Sequence, residues 1–120
     1  MIRRFDLTHH QGAEQMVGKY VVVTTANNGV FFGRLKEVED ADPERDARPP
    51  ILTFAVVLTN ARNCLRWGSE TKGFLGLAAT GPIGQCRVGP AVLTLRLYGV
   101  TSITECTDVA CAAWEAEPWN

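Results

Sequence analysis

KYVVVTTANNGVFFGRLKEV, residues 19–38, reads as two strands joined by a tight turn. Five of the seven residues at 19–25 are Val or Thr. Branching at Cβ favours the extended chain, where such side chains pack on a pleated surface. Asn27, Asn28 and Gly29 follow, and an Asn-Gly pair supplies the two positive φ angles of a two-residue hairpin turn. Residues 30–38 are the returning strand. A hairpin so near the start sets the fold class as β, and the rest of the chain is read against it.

Upstream, residues 1–17 form an arm with one short helix expected at 12–17. Downstream, residues 39–50, EDADPERDARPP, hold five acids, two arginines and three prolines. No packed strand tolerates that mixture, so an exposed, solvated loop is expected. Residues 51–59, ILTFAVVLT, are an almost continuous apolar run, the pattern of a strand buried on both faces. A turn is expected at 60–63 and a short strand at 64–67. Residues 91–98 alternate: Val92, Thr94, Arg96 and Tyr98 on one face, Leu93, Leu95 and Leu97 on the other. Residues 100–105 form the last strand, with Gly99 marking a bend. Thr107 is a natural helix cap and Asp108 suits the positive end of the helix dipole. Val109, Ala110, Ala113 and Trp114 fall on one helical stripe until Pro118 ends the helix. The expected architecture is mainly β. It is a small, partly open β-barrel of five or six strands, Sm-like by analogy, with a C-terminal helix.

At 120 residues the chain has the length of one domain. Hydrophobic content of 46% with 21% charged residues is globular. A net charge of −1 argues against dedicated duplex-DNA binding, which needs a cationic face. The charge is unevenly spread. Residues 60–96 carry five cations and one acid, whereas residues 97–120 carry four acids and no cation. Such asymmetry suits a cationic site, head-to-tail association of copies, or two solvated rims. The start, MIRRFDLTHHQG, holds no apolar run, so no secretory leader is expected. No apolar stretch approaches the roughly 20 residues of a membrane span. A cytoplasmic protein with reduced thiols at Cys64, Cys86, Cys106 and Cys111 is the expectation. Their spacing is not that of a zinc site, and cysteine more often serves as a small core hydrophobe.

No reaction is named by the residues. Gly-x-Ser-x-Gly and the phosphate-loop signature are both missing. His9 and His10 are the only histidines and sit in the terminal arm. Cys64, flanked by Arg62 and Arg66, is a nucleophile with no nearby base, so no enzyme is expected. The informative stretch is residues 61–90, with six of the eleven glycines and the cations Arg62, Arg66, Lys72 and Arg87. Glycine permits a turn at Thr80, Gly81 and Gly84 to aim amide N–H groups at an anion. Lys72 and Arg87 would neutralise charge, Arg66 would hold a phosphate through two parallel bonds, and Trp67 would offer a ring to a base. The competing reading is a structural loop with Trp67 in the core. Open strand edges, the helix face, Trp114 and Trp119 point to a homo-oligomer.

CLRWGSETKGFLGLAATGP at 64–82, CRVGPAV at 86–92, LYGVTSITECT at 97–107 and the closing helix with Trp114 resemble a family of small proteins encoded by bacteriophages and prophages. The resemblance covers roughly half of the chain. It implies a viral or prophage origin, expression inside a bacterium, and an accessory or structural role, and it supplies no catalytic residues. The functional expectation is a non-enzymatic protein holding a phosphate-bearing ligand, such as a nucleotide signal of host defence, at Arg66, Trp67, Lys72, Thr80, Gly81, Gly84 and Arg87. The alternatives are a structural or assembly protein of the virion, or a protein–protein interaction module. No cofactor and no metal are expected.

Overall fold

The computed structural model describes residues 14–26, 29–40 and 54–118. Six strands form one antiparallel sheet that does not close: β1 (Tyr20–Thr25), β2 (Val30–Asp40), β3 (Phe54–Arg66), β4 (Arg87–Val88), β5 (Val92–Leu97) and β6 (Val100–Glu105). The order is β4-β3-β2-β1-β6, and β5 also pairs with β3. A 3-10 turn, Ser69–Thr71, leads into α1 (Gly73–Ala79), and α2 (Asp108–Ala116) ends the fold. The expected mainly β, partly open sheet with a C-terminal helix is what the chain forms.

The opening hairpin is in place, with Thr24 opposite Val30 and Tyr20 opposite Arg34. Its strands are buried on both sides because the sheet divides two apolar clusters. Val22, Val30 and Phe32 face α1 and α2 in the first, with Cys64, Leu77, Val88, Ala110 and Trp114. Val21, Val23 and Leu35 face the second, with Val56, Leu58, Leu97 and Val100. Period-2 alternation sends neighbours in one strand to opposite clusters.

Two boundaries differ from expectation. β3 does not turn at 60–63; it runs on to Arg66. Asn60 takes a left-handed φ of 52°, a conformation that asparagine tolerates better than most residues, and its amide reaches the Tyr20 hydroxyl at 3.4 Å. The β2–β3 register shifts at this point, between Phe32 and Arg34, so the irregularity is a bulge that bends the strand without ending it. Gly33 lies across from it: a Cβ there would stand 3.0 Å from that of Leu58 and 3.1 Å from the Thr59 carbonyl oxygen. The second difference is at residues 39–40, expected in a loop, which extend β2 and pair with Ala55 and Phe54. Glu39 accepts a hydrogen bond from Arg96, which holds its carboxyl below the usual range. Residues 41–53, most of the expected charged loop and the first residues of the apolar run, lie outside the described residues, as does the start of the 12–17 helix.

The closing helix begins as its sequence dictates. The Thr107 side chain accepts from the Ala110 N–H at 3.0 Å, satisfying one of the first-turn donors. Its hydroxyl donates to the Ala79 carbonyl at 2.7 Å, tying the two helices together.

Candidate functional site

Within the glycine-rich stretch residues 69–71 and 73–79 are helical while 80–86 remain irregular, and Gly76, Gly81 and Gly84 sit at close contacts. A Cβ at Gly76 would lie 1.5 Å from the Thr71 carbonyl oxygen, so α1 can fold back on the 3-10 turn only with glycine there. Gly81 adopts φ 81° and packs on α2; a Cβ there would come 2.6 Å from the Ala113 Cβ and 2.9 Å from the Ala110 carbonyl oxygen. The Thr80 hydroxyl is directed back to the Gly76 carbonyl at 3.1 Å. Gly84, with φ 67°, lies under Glu70, whose carboxylate oxygen would be 1.7 Å from a Cβ at that position. Thr80, Gly81 and Gly84 are thus engaged by the helices and by the one acid of the stretch.

Arg62 also leaves the cationic set. It is buried, donating from Nε to the Gly89 carbonyl at 2.8 Å and from one terminal nitrogen to the carbonyls of Trp114 and Glu117 at 2.5 and 2.7 Å. Arg96 is engaged by Glu39.

Arg66 and Arg87 come together. They are Cα partners in the β3–β4 pair, both exposed, while Cys64 and Val88 beside them are buried. The register shift between Cys64 and Arg66 is a bulge of the kind that re-aims side chains. Facing residues of antiparallel strands carry Cβ atoms about 4.5–5.5 Å apart, so two guanidinium stems rise from one spot. Trp67 follows Arg66 directly, half-buried and packed against the first core cluster. Lys72 is exposed and held at φ 64°, ψ 46° at the junction of the 3-10 turn and α1. The 67–72 segment is docked on residues 83–86 through Thr71, whose hydroxyl lies 3.3 Å from the Ile83 carbonyl and 3.4 Å from the Cys86 sulfur. Sequence reading named Arg66 and Arg87 but missed that they oppose each other, since a two-residue strand leaves no periodicity to find.

A separate cleft of about 310 Å³ is lined by Val17, Gly18, Arg34, Leu35, Lys36 and Thr59. None of the expected site residues borders it, and the Arg34 Nε is committed to the Gly18 carbonyl at 3.0 Å.

Cys64, Cys106 and Cys111 are not activated: burial raises the pKa of each. Burial, then the nearby Cys86, pushes Cys64 up from 9.0 to about 11, the reverse of the lowering expected from its flanking arginines. Burial likewise pushes Cys106 up to about 12. Both shifts favour the protonated folded state, so stability is full below pH 9 and falls as the pH climbs towards 11–12, where unfolded thiols ionise first. A melting temperature that declines over this alkaline window, and less so in Cys64→Ala, is the expected result; equal alkaline slopes for the two chains would contradict it. Among the described residues no three His, Cys, Asp or Glu side chains gather as a metal cage, and no helix is long and apolar enough to cross a membrane. His9 and His10 lie outside the described residues.

The chain belongs to the DUF6948 family, a domain of unknown function that spans residues 18–114. No curated protein matches it. No solved structure matches it.

Proposed function

We propose that this DUF6948 protein is a non-enzymatic binding protein of phage or prophage origin, acting in the bacterial cytoplasm on a phosphate-bearing ligand. The observation that carries this reading is the opposition of Arg66 and Arg87 across the β3–β4 pair. Two arginines on facing positions of one strand pair offer an anion a doubly cationic spot. Each guanidinium fork matches two phosphate oxygens. Trp67 stands next to Arg66, and its partly open indole gives a base a surface to stack on, worth about 1–3 kcal/mol per base. Lys72 adds a third cation on the same segment. A nucleotide combines both features, and a host-defence nucleotide signal is the ligand that suits a phage accessory protein.

Arg66→Ala and Lys72→Ala test the residues. Both side chains are exposed, so each substitution is expected to change stability by less than about 0.5 kcal/mol. Titration calorimetry with a panel of linear and cyclic nucleotides should show binding to the wild type and its loss in Arg66→Ala, with weakening of at least about tenfold in Lys72→Ala. Unchanged affinity in both variants would remove the site.

A second reading, a structural or assembly protein of the virion, is favoured by the exposed apolar side chains Val92 and Leu93 on the two faces of β5 and Tyr98 just past it. It would co-sediment with particles and show no nucleotide affinity. Both readings include a homo-oligomer. Trp114 is fully buried in its own chain and so does not dock a neighbour; Trp119 lies outside the described residues.

A further inference from the structure

Among the described residues β5 has one strand neighbour, β3, and none of them pairs with its other side. Sheets normally blunt such edges with lysine, proline, a bulge or a covering element. Residues 92–97, VLTLRL, contain neither lysine nor proline. The β3–β5 register runs from Ala61↔Val92 to Val56↔Leu97 with no shift, whereas β1–β6 and β3–β4 each contain one and β2–β3 contains two. The opposite edge, β6, is better protected: its ladder is bulged beside Thr24, and the Lys19–Glu105 ion pair at 3.5 Å closes its end.

The side chains of β5 tell the same story. Leu97 belongs to the second core cluster and Leu95 packs against it, but Leu93, next in the same row, is 89% exposed. On the other face Val92 is 45% exposed, and just past the strand Tyr98 is 65% exposed. The apolar row therefore runs off the end of what its own chain covers.

We propose that β5 pairs with β5 of a second copy, antiparallel about a two-fold axis at Thr94, joining two sheets into one. The sequence of the strand is what selects a second copy as the occupant. Read antiparallel about Thr94, Leu93 lies opposite Leu95 of the partner subunit, and Leu95 opposite Leu93 of the partner subunit, so the two leucine rows close on each other. The one charge of the strand, Arg96, falls opposite Val92 of the partner subunit. The two arginines are then offset by four residues, roughly 13 Å along the strands, and no like charges meet. Arg96 is already turned to its own Glu39, which keeps it out of the leucine row. Because the same edge is used by both copies, the contact closes at two and leaves no growing end. This surface does not involve Arg66 or Arg87 and does not rest on the phosphate reading.

Sedimentation of the full chain at tens to hundreds of micromolar should give twice the 13.1 kDa protomer mass. Leu93→Lys should return it to the protomer mass with an unchanged far-UV circular dichroism spectrum, since the side chain it replaces is exposed in the protomer, and with a melting temperature that no longer rises with protein concentration. Thr94→Cys should form an intermolecular disulfide with oxidised glutathione, because facing residues in an antiparallel pair have Cα atoms roughly 4.5–5.5 Å apart, inside the disulfide range. A protomer mass for the wild type throughout that range would overturn the proposal. So would a dimer that persists in Leu93→Lys and cross-links through Thr101→Cys on β6 and not through Thr94→Cys. Arg66→Ala should leave the dimer intact, which separates failure of this surface from failure of the ligand site.

Discussion

Trp114→Ala is expected to destabilise the fold by about 3–5 kcal/mol, the range for removing a large, fully buried aromatic. The indole is completely enclosed. It stacks on Phe32 at 4.8 Å with an interplanar angle of 5°, and Phe32 stacks in turn on Tyr20 at 5.1 Å. Its Nε1–H donates to the Leu77 carbonyl at 3.0 Å, so one side chain fastens α2 to α1 and both helices to the sheet. Truncation leaves a cavity between three elements and a carbonyl without its donor. Against a total stability of about 5–15 kcal/mol for a natural domain, such a loss is large. Urea denaturation followed by circular dichroism should show a lower midpoint with an unchanged slope. Trp114→Phe keeps a ring for the stack and loses the N–H, and should cost less than the alanine variant. A loss under about 1 kcal/mol for Trp114→Ala would mean that the stack does not join the helices to the sheet.

The second large effect is expected at Arg62. Its guanidinium sits inside the fold with three carbonyl partners, two of them, on Trp114 and Glu117, at the end of α2. The last carbonyls of a helix have no partner within it, and here an arginine on a neighbouring strand supplies the donors that a terminal glycine motif would otherwise arrange. Burial pushes the Arg62 pKa below its usual value, while the charge of Glu117 acts the other way. Arg62→Leu roughly preserves volume but leaves those oxygens buried and unmatched. The penalty is about 1–3 kcal/mol for each such group, not fully additive, so a total loss of about 3–5 kcal/mol is expected. Swapping a whole buried ion pair for hydrophobes can be neutral, but removing one partner is not. Arg62→Lys should recover only part of the loss, because an ammonium lacks the planar fork. Amide exchange in the last turn of α2 should accelerate in both variants. Wild-type stability in Arg62→Leu would show that water satisfies these carbonyls and that the clamp is dispensable.

The elements that were legible in the sequence are those whose local signals agree with their tertiary setting. β1 is a β-branched run and pairs with β2 as the hairpin pattern implies, although the Thr25 N–H bonds the Gly29 carbonyl and Gly29 has no positive φ, so the connection is longer than a two-residue Asn-Gly turn. α2 carries its cap at Thr107, and the cap bonds as the sequence implies. The misses occur where packing overrides local preference. Asn60 and Asn63 look like a turn, yet β2 on one side and β5 on the other pull the chain through as a bulged strand. Residues 73–79, GFLGLAA, hold two glycines, each costing about 1 kcal/mol relative to alanine in a helix. They fold as a helix because Leu77 and Ala78 are buried beneath α2 and because only glycine fits at position 76. The glycines that suggest an anion cradle, Gly81 and Gly84, lie just past this helix, where Gly81 packs against Ala110 and Ala113 of α2 and Gly84 lies under the Glu70 side chain. The arginine pair was half legible: both residues stood out by charge, but their opposition depends on a bulge and a two-residue strand that no pattern announces.

We propose that the Arg66–Arg87 surface holds a phosphate-bearing ligand. The most direct test is to purify the protein from bacterial cells, denature it, and read the released small molecules by mass spectrometry. A nucleotide is expected in a fixed ratio to the wild-type chain, and none from Arg66→Ala purified in the same way. A wild-type protein that releases nothing, and that binds none of the nucleotides offered to it in titration, would contradict the ligand reading.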